Sequence, residues 1–129
     1  MVGYVDSRNQ LVVEVFVRDM ARSRAFYERL GFALLRDDDT FVEYTWEGHR
    51  FFLDQRGDQP EAAAPQANVR IMVPDVDRYW ALAQAMGARV FAPITDQQYG
   101  IRDFTILDPD GFGLRFGTWL PGWGPQTEQ

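Results

Sequence analysis

Few side chains in this sequence have types and spacing that could do chemistry. Cysteine is absent and His49 is the single histidine. Thiolate catalysis, disulfides and cysteine-ligated metals are therefore excluded. His49 follows Gly48 at an expected turn, where a solvated residue is the simpler reading than a ligand or base. Glu14 is a stronger candidate. It stands in Val13-Glu14-Val15-Phe16-Val17, where apolar neighbours could raise its pKa toward neutrality for base catalysis, or where it could anchor a cation. Arg70 holds the equivalent place in Val69-Arg70-Ile71-Met72-Val73, 56 residues on. The two could equally form an ion pair between repeats. Asp37-Asp38-Asp39 reads as a solvated turn. Asp108-Pro109-Asp110-Gly111 is a strong turn signal that lacks the later carboxylates of a calcium loop. No phosphate-cradling glycine loop or nucleophile elbow is present. Aromatic side chains are the remaining resource, at 15% of the chain. Tyr44 and Trp46 share parity, so both face either core or ligand. Trp119 and Trp123 lie in a tail rich in Pro and Gly, where packing competes with ligand contact.

The elements that must position these residues occur twice. Val13, Val15, Val17, Asp19, Leu30 and Gly31 are matched at the same offset by Val69, Ile71, Val73, Asp75, Met86 and Gly87. Each copy reads as a strand, an aspartate N-cap, an amphipathic helix and a glycine stop. The first module spans 11–55. It contains a strand from Leu11 to Val17, a helix to Leu30, a strand from Phe32, and a hairpin of Phe41–Trp46 and Arg50–Leu53 around Glu47-Gly48. A linker covers 56–66. The second module spans 67–117, with a strand to Val73, a helix over Val76–Met86 and a strand over Arg89–Phe91. A loop is expected from Pro93 to Ile101, then a hairpin of Asp103–Leu107 and Leu114–Gly117. The tail, 118–129, is expected to be irregular. Such a repeat is read before any other feature of the fold.

A chain of 129 residues with 46% hydrophobic content suits one domain. The net charge of −6 argues against nucleic acid and anionic membranes, and favours a cationic ligand. No apolar run approaches the ~20 residues of a membrane span. Met1 to Gln10 lacks a basic region and apolar signal core, so a cytoplasmic location is expected.

Two segments resemble the signatures of the vicinal oxygen chelate superfamily, which holds glyoxalase I, extradiol dioxygenases, and fosfomycin and bleomycin resistance proteins. Val17-Arg18-Asp19-Met20-Ala21-Arg22-Ser23-Arg24-Ala25-Phe26-Tyr27-Glu28-Arg29-Leu30-Gly31-Phe32 is similar to the opening signature. Gln98-Tyr99-Gly100-Ile101-Arg102-Asp103-Phe104, followed by Asp108-Pro109-Asp110-Gly111, is similar to the closing one. The resemblance covers Leu11 to Gly117. It implies an α+β fold of tandem βαβββ modules, with curved mixed sheets around a cleft, and a homodimer. It also implies four metal-ligand positions, and this chain does not fill them with ligands. They carry Val12, a residue near Leu53 to Gln55, Asn68 and Arg115. Only Asp54 among these could serve, and alone it gives no usable affinity. No metal and no cofactor are expected.

With Val12 and Asn68 marking the cleft face, alternation adds Glu14, Phe16 and Arg18 in one module and Arg70 and Met72 in the other. Bleomycin resistance proteins resemble this chain most in length, acidity and missing metal ligands. In them an aromatic after the acidic turn and another in the closing loop sandwich planar drug rings. The matching residues are Phe41 and Tyr99, the latter a smaller ring than the tryptophan often found there. The expected ligand-binding set is therefore Glu14, Phe16, Phe41, Tyr44, Trp46, Arg70, Met72, Tyr99, Arg115 and Trp119, with no catalytic residue. The expected function is metal-independent sequestration of a small planar aromatic, cationic compound such as a bleomycin-type antibiotic. The alternative is a lyase, isomerase or dioxygenase-like enzyme of the same superfamily using Glu14 as base.

Overall fold

The computed structural model describes residues 4–58, 60, 64–65 and 67–125. Part of the expected linker and the last residues of the expected tail lie outside these. The chain divides into two compact units, Met1–Ala63 and Ala64–Gln129, a boundary inside the linker. Each unit is a βαβββ module, so the fold is α+β.

Unit 1 contains α1 (Ser7–Gln10), β1 (Val13–Val17), α2 (Met20–Leu30), β2 (Ala33–Asp37), β3 (Phe41–Trp46) and β4 (His49–Gln55). Its sheet has the order β1-β4-β3-β2. β1 runs parallel to β4, and the other pairs are antiparallel. Unit 2 contains β5 (Asn68–Met72), α3 (Val76–Ala85), β6 (Arg89–Asp96), β7 (Ile101–Leu107) and β8 (Gly113–Trp119). Its order, β5-β8-β7-β6, repeats the first topology.

The repeat extends to the helix ends. Asp19 accepts from the Arg22 amide at 3.2 Å, and Asp75 accepts from the Arg78 amide at 3.4 Å. Both are N-caps satisfying an amide that no helical carbonyl can reach. Both helices end in a Schellman motif. In α2 the Gly31 amide donates to Glu28 and the Phe32 amide to Tyr27; in α3 the Gly87 amide donates to Gln84 and the Ala88 amide to Ala83. Gly31 (φ +119°) and Gly87 (φ +67°) take the left-handed conformation that this requires.

The core of unit 1 lies between α2 and its sheet. Tyr27 is fully buried, with ring centroids of Phe32 and Phe51 both 5.2 Å away. Removing such a ring from water contributes roughly 1.5–3 kcal/mol. In unit 2, Phe104 and Phe116 stack beneath α3, where Tyr79 lies 5.0 Å from Phe116 and Trp80 5.1 Å from Phe104.

Two sequence expectations are corrected, and one further element is added. The strand begun at Arg89 does not stop at Phe91 but continues through Pro93 to Asp96. β6 is an edge strand, where a proline's missing amide costs no ladder bond; its register slips twice, between Val90 and Ala92 and between Ala92 and Thr95. The tail is not irregular from its start, because Thr118 and Trp119 extend β8. A short helix, α1, precedes β1, capped by the Asp6 carboxylate. Among the described residues no helix is long and apolar enough to cross a membrane.

Candidate functional site

Register decides which side chains share the face of unit 1 away from α2. Phe16 pairs with Asp54 across β1 and β4, and Asp54 pairs with Phe41 across β4 and β3. In the next row Glu14 pairs with Phe52, and Phe52 with Glu43. The two rows form a checkerboard of three phenylalanines and three carboxylates. Val15, Val17, Val42, Tyr44, Phe51 and Leu53 alternate with them and are buried on the helix side. Phe41 and Phe52 meet edge-on at 5.4 Å, and Phe16 is 40% exposed.

Two arginines lie over this face. The Arg56 guanidinium carbon sits 4.5 Å from the Phe16 centroid; its Nε donates to Asp54 Oδ2 at 3.2 Å, and its Nη2 forms an ion pair with the same oxygen at 3.1 Å. Arg36 lies 6.0 Å from the Phe41 centroid and pairs with Glu43 at 3.1 Å. Ring faces and carboxylates both attract cations, so this surface is built for positive charge.

Tyr44 and Trp46 do not belong to it, which corrects their placement in the ligand-binding set. Tyr44 is fully buried and its hydroxyl donates to Glu28 Oε2 at 2.9 Å. Desolvation, reinforced by that carboxylate, pushes the phenol well above its usual range. Glu28 is held below its ordinary value chiefly by the Arg24 hydrogen bond. Trp46 packs on Phe32 at 5.0 Å and covers Gly31. Both rings face α2 because β3 turns its even-numbered residues toward the helix.

In unit 2 the face opposite α3 carries Arg70, paired with Arg115, and Met72, paired with Gly117. Its centre is Asp103, 2% exposed. Asp103 accepts from Gln97 Nε2 at 2.9 Å, from the Tyr99 hydroxyl at 2.9 Å and from Arg115 Nε at 3.0 Å. Arg115 Nη2 also donates to the Tyr99 hydroxyl. A buried carboxylate needs such donors to offset its lost hydration. Desolvation, then the bond to Asp103, raises the Tyr99 phenol. The hydroxyl is thus fixed while the ring stays 43% exposed. Trp119, at the end of β8, pairs with Ile101 and lies against Gly124.

The four positions where the superfamily resemblance places metal ligands do not fit a divalent ion. Val12 has no donor atom. Leu53 is buried, Asp54 is held by Arg56, and Gln55 Oε1 accepts from the Met20 amide at 2.8 Å as a second cap on α2. Asn68 packs against Gly113, and Arg115 is a cation committed to Asp103. Among the described residues no group of three or more His, Cys, Asp or Glu could hold a metal.

Glu14, Phe16 and Phe41 come together in unit 1; Arg70, Met72, Tyr99 and Arg115 share unit 2. Sequence reasoning missed Phe52, Glu43, Gln97 and Asp103, and read Asp54 only as a weak metal donor. Strand parity marks Phe52 and Asp54 as neighbours, but only the register places them between Glu14, Phe16 and Phe41.

A family model described as the glyoxalase/bleomycin resistance protein/dioxygenase superfamily matches residues 9–116. No curated protein matches the sequence. Among solved structures, a glyoxalase/bleomycin resistance protein/dioxygenase from Nocardioides superposes with a TM-score of 0.74 at 18% identity, covering 97% of this chain and 92% of that one. A protein of unknown function from Agrobacterium tumefaciens str. C58 gives 0.72 at 28% identity, covering 91% and 98%. A bleomycin-binding protein complexed with bleomycin gives 0.69 at 21% identity, covering 85% and 98%. These likenesses agree with the twice-repeated βαβββ topology, and the chain belongs to the glyoxalase/bleomycin resistance protein/dioxygenase superfamily, the vicinal oxygen chelate proteins.

Proposed function

We propose that this protein binds a small planar aromatic cation and sequesters it without chemical change, using neither metal nor cofactor, as a cytoplasmic homodimer. The observation that carries this reading is the alternation of Phe16, Phe41 and Phe52 with Glu14, Glu43 and Asp54 on one sheet face. Rings supply stacking area and a negative quadrupole, and carboxylates supply the counter-charge. The net charge of −6 adds long-range attraction for a cation. Tyr99, with its hydroxyl fixed and its ring exposed, is a second stacking surface. Sequestration then acts by mass action, lowering the free concentration of a toxic compound. A bleomycin-type antibiotic is the proposed ligand, supported by the shared fold with a bleomycin-binding protein.

The test is calorimetric titration of EDTA-treated protein with bleomycin, beside a Phe41→Ala variant. Saturable, metal-independent binding weakened by the variant supports sequestration. Absence of binding overturns the bleomycin assignment.

A further inference from the structure

The checkerboard face already holds a planar cation, and that cation belongs to the protein. The Arg56 guanidinium lies 4.5 Å above the Phe16 ring and is held to one Asp54 oxygen by a hydrogen bond from Nε and an ion-pair contact from Nη2. Its backbone is anchored independently, the Arg56 amide donating to the Val17 carbonyl at 2.7 Å. Arg36 repeats the arrangement more loosely, over Phe41 and against Glu43. Asp54 is the cross-strand partner of both Phe16 and Phe41, so it sits between two ring systems. A surface that accepts a guanidinium in this way presents the contacts that any flat, delocalised, N–H-bearing cation needs. A spherical ammonium would fit less well, because it lacks both a flat face and a fork of donors.

We propose that Arg56 is a built-in occupant of a guanidinium- or amidinium-binding subsite formed by Phe16 and Asp54, and that a ligand of this class binds there by displacing it. The subsite deepens the sequestration reading and rests on it for the class of ligand. Arg56 is half exposed, with 52% of its side-chain surface accessible. Its displacement therefore returns a charged group to water at little cost. Competition by Arg56 sets a selectivity threshold, since a ligand must stack or pair better than arginine to enter.

The experiment titrates the full-length protein with benzamidine, with benzylamine as the non-planar cation and benzamide as the neutral isostere. Wild type, Arg56→Gln and Asp54→Asn are compared, with two-dimensional NMR to place the shifts. The expected order is benzamidine, then benzylamine, with benzamide unbound. Losing one stacked, exposed ion pair gives a competitor worth about fivefold, so Arg56→Gln should tighten benzamidine by about that factor. Asp54→Asn should remove binding, with shifts at Phe16 lost. Unchanged or weaker benzamidine binding by Arg56→Gln overturns the proposal. So does equal affinity for benzamidine and benzylamine. Bleomycin titration of the same wild-type sample separates the two ideas. Bleomycin binding with an Arg56-independent benzamidine response removes only the subsite. Arg56-gated benzamidine binding without bleomycin binding removes only the antibiotic.

Discussion

Gly100 lies so close under the Trp123 indole that a β-carbon on it would overlap the ring. The backbone there is also left-handed, with φ +91°. The Leu120 amide donates to the Gly100 carbonyl at 2.9 Å, and the Trp123 amide to Leu120 at 3.0 Å. The residues after β8 therefore fold back onto the loop that carries Tyr99. Alanine at position 100 meets both an unfavourable φ and a steric overlap, a combined cost of about 2–3 kcal/mol. Denaturant unfolding of Gly100→Ala, Trp123→Ala and the double variant should give a coupling of about 1 kcal/mol, the double variant being less destabilised than the sum.

Asp103 should be the costliest single polar position in unit 2. Asp103→Ala strands Arg115, Tyr99 and Gln97 donors around a site that is 2% exposed. Because Arg115 remains 31% exposed, water recovers part of its hydration, and the loss is expected at about 3 kcal/mol rather than more. Tyr99→Phe removes one neutral hydroxyl and should cost about 1 kcal/mol. Urea midpoints at constant m-value distinguish the two.

Stability against pH should form a plateau with a charged limb at each end. Glu28 is held below its ordinary 4.5, first by Arg24 and then by Tyr44. A depressed carboxylate stabilises the fold above its unfolded value and loses that contribution as pH falls through its folded value. Tyr44 and Tyr99 are both raised above 10.0, chiefly by desolvation. Their contribution is complete below pH 10 and declines as pH rises toward their folded values. Thermal melts of Glu28→Gln should show a shallower acid limb, and melts of Tyr44→Phe a shallower alkaline one.

Ligand affinity should follow the checkerboard and leave buried aromatics out. Phe41→Ala and Phe52→Ala remove stacking surface and should each weaken a bound planar cation by about tenfold. Glu14→Gln should weaken it less, by about threefold, because an exposed charge pair contributes little. Trp80→Phe, on α3 and packed against Phe104, should leave affinity unchanged. Titrations at low and 0.5 M salt would show the Glu14 contribution vanish first, through screening.

Local signals carried most of the fold. The aspartate caps, the glycine stops and the hairpin turns are properties of a few neighbouring residues, so α2, α3 and every described strand but β6 lie close to the limits read from the sequence, while the single-turn α1 carries no glycine stop. β6 was cut short because Pro93 argues against a strand unless its edge position is known, and edge position is a property of the whole sheet. The site was less legible for the same reason. Parity put Tyr44 and Trp46 on one face but could not say which. Phe52, Glu43 and Asp54 gained their meaning only as partners of Phe16, Phe41 and Glu14 on other strands. Asp103 lay within a quoted signature, yet nothing local marks it as the acceptor for Gln97, Tyr99 and Arg115.

The irregular registers of β2 and β6 bear on how the protein survives crowding. β2 is exposed along its length, with Leu34 and Leu35 at 44% and 50%, and β6 exposes Val90 and Phe91 at 41% and 55%. Straight apolar strands of this kind would template fibrils. The slip between Leu34 and Arg36, the two slips in β6 and the proline at 93 bend both strands out of register with any incoming chain. Shelf life in concentrated solution therefore depends on these irregularities. Straightening either strand, by deleting Leu35 or replacing Pro93 with valine, would leave the cores untouched and shorten the lag before aggregation.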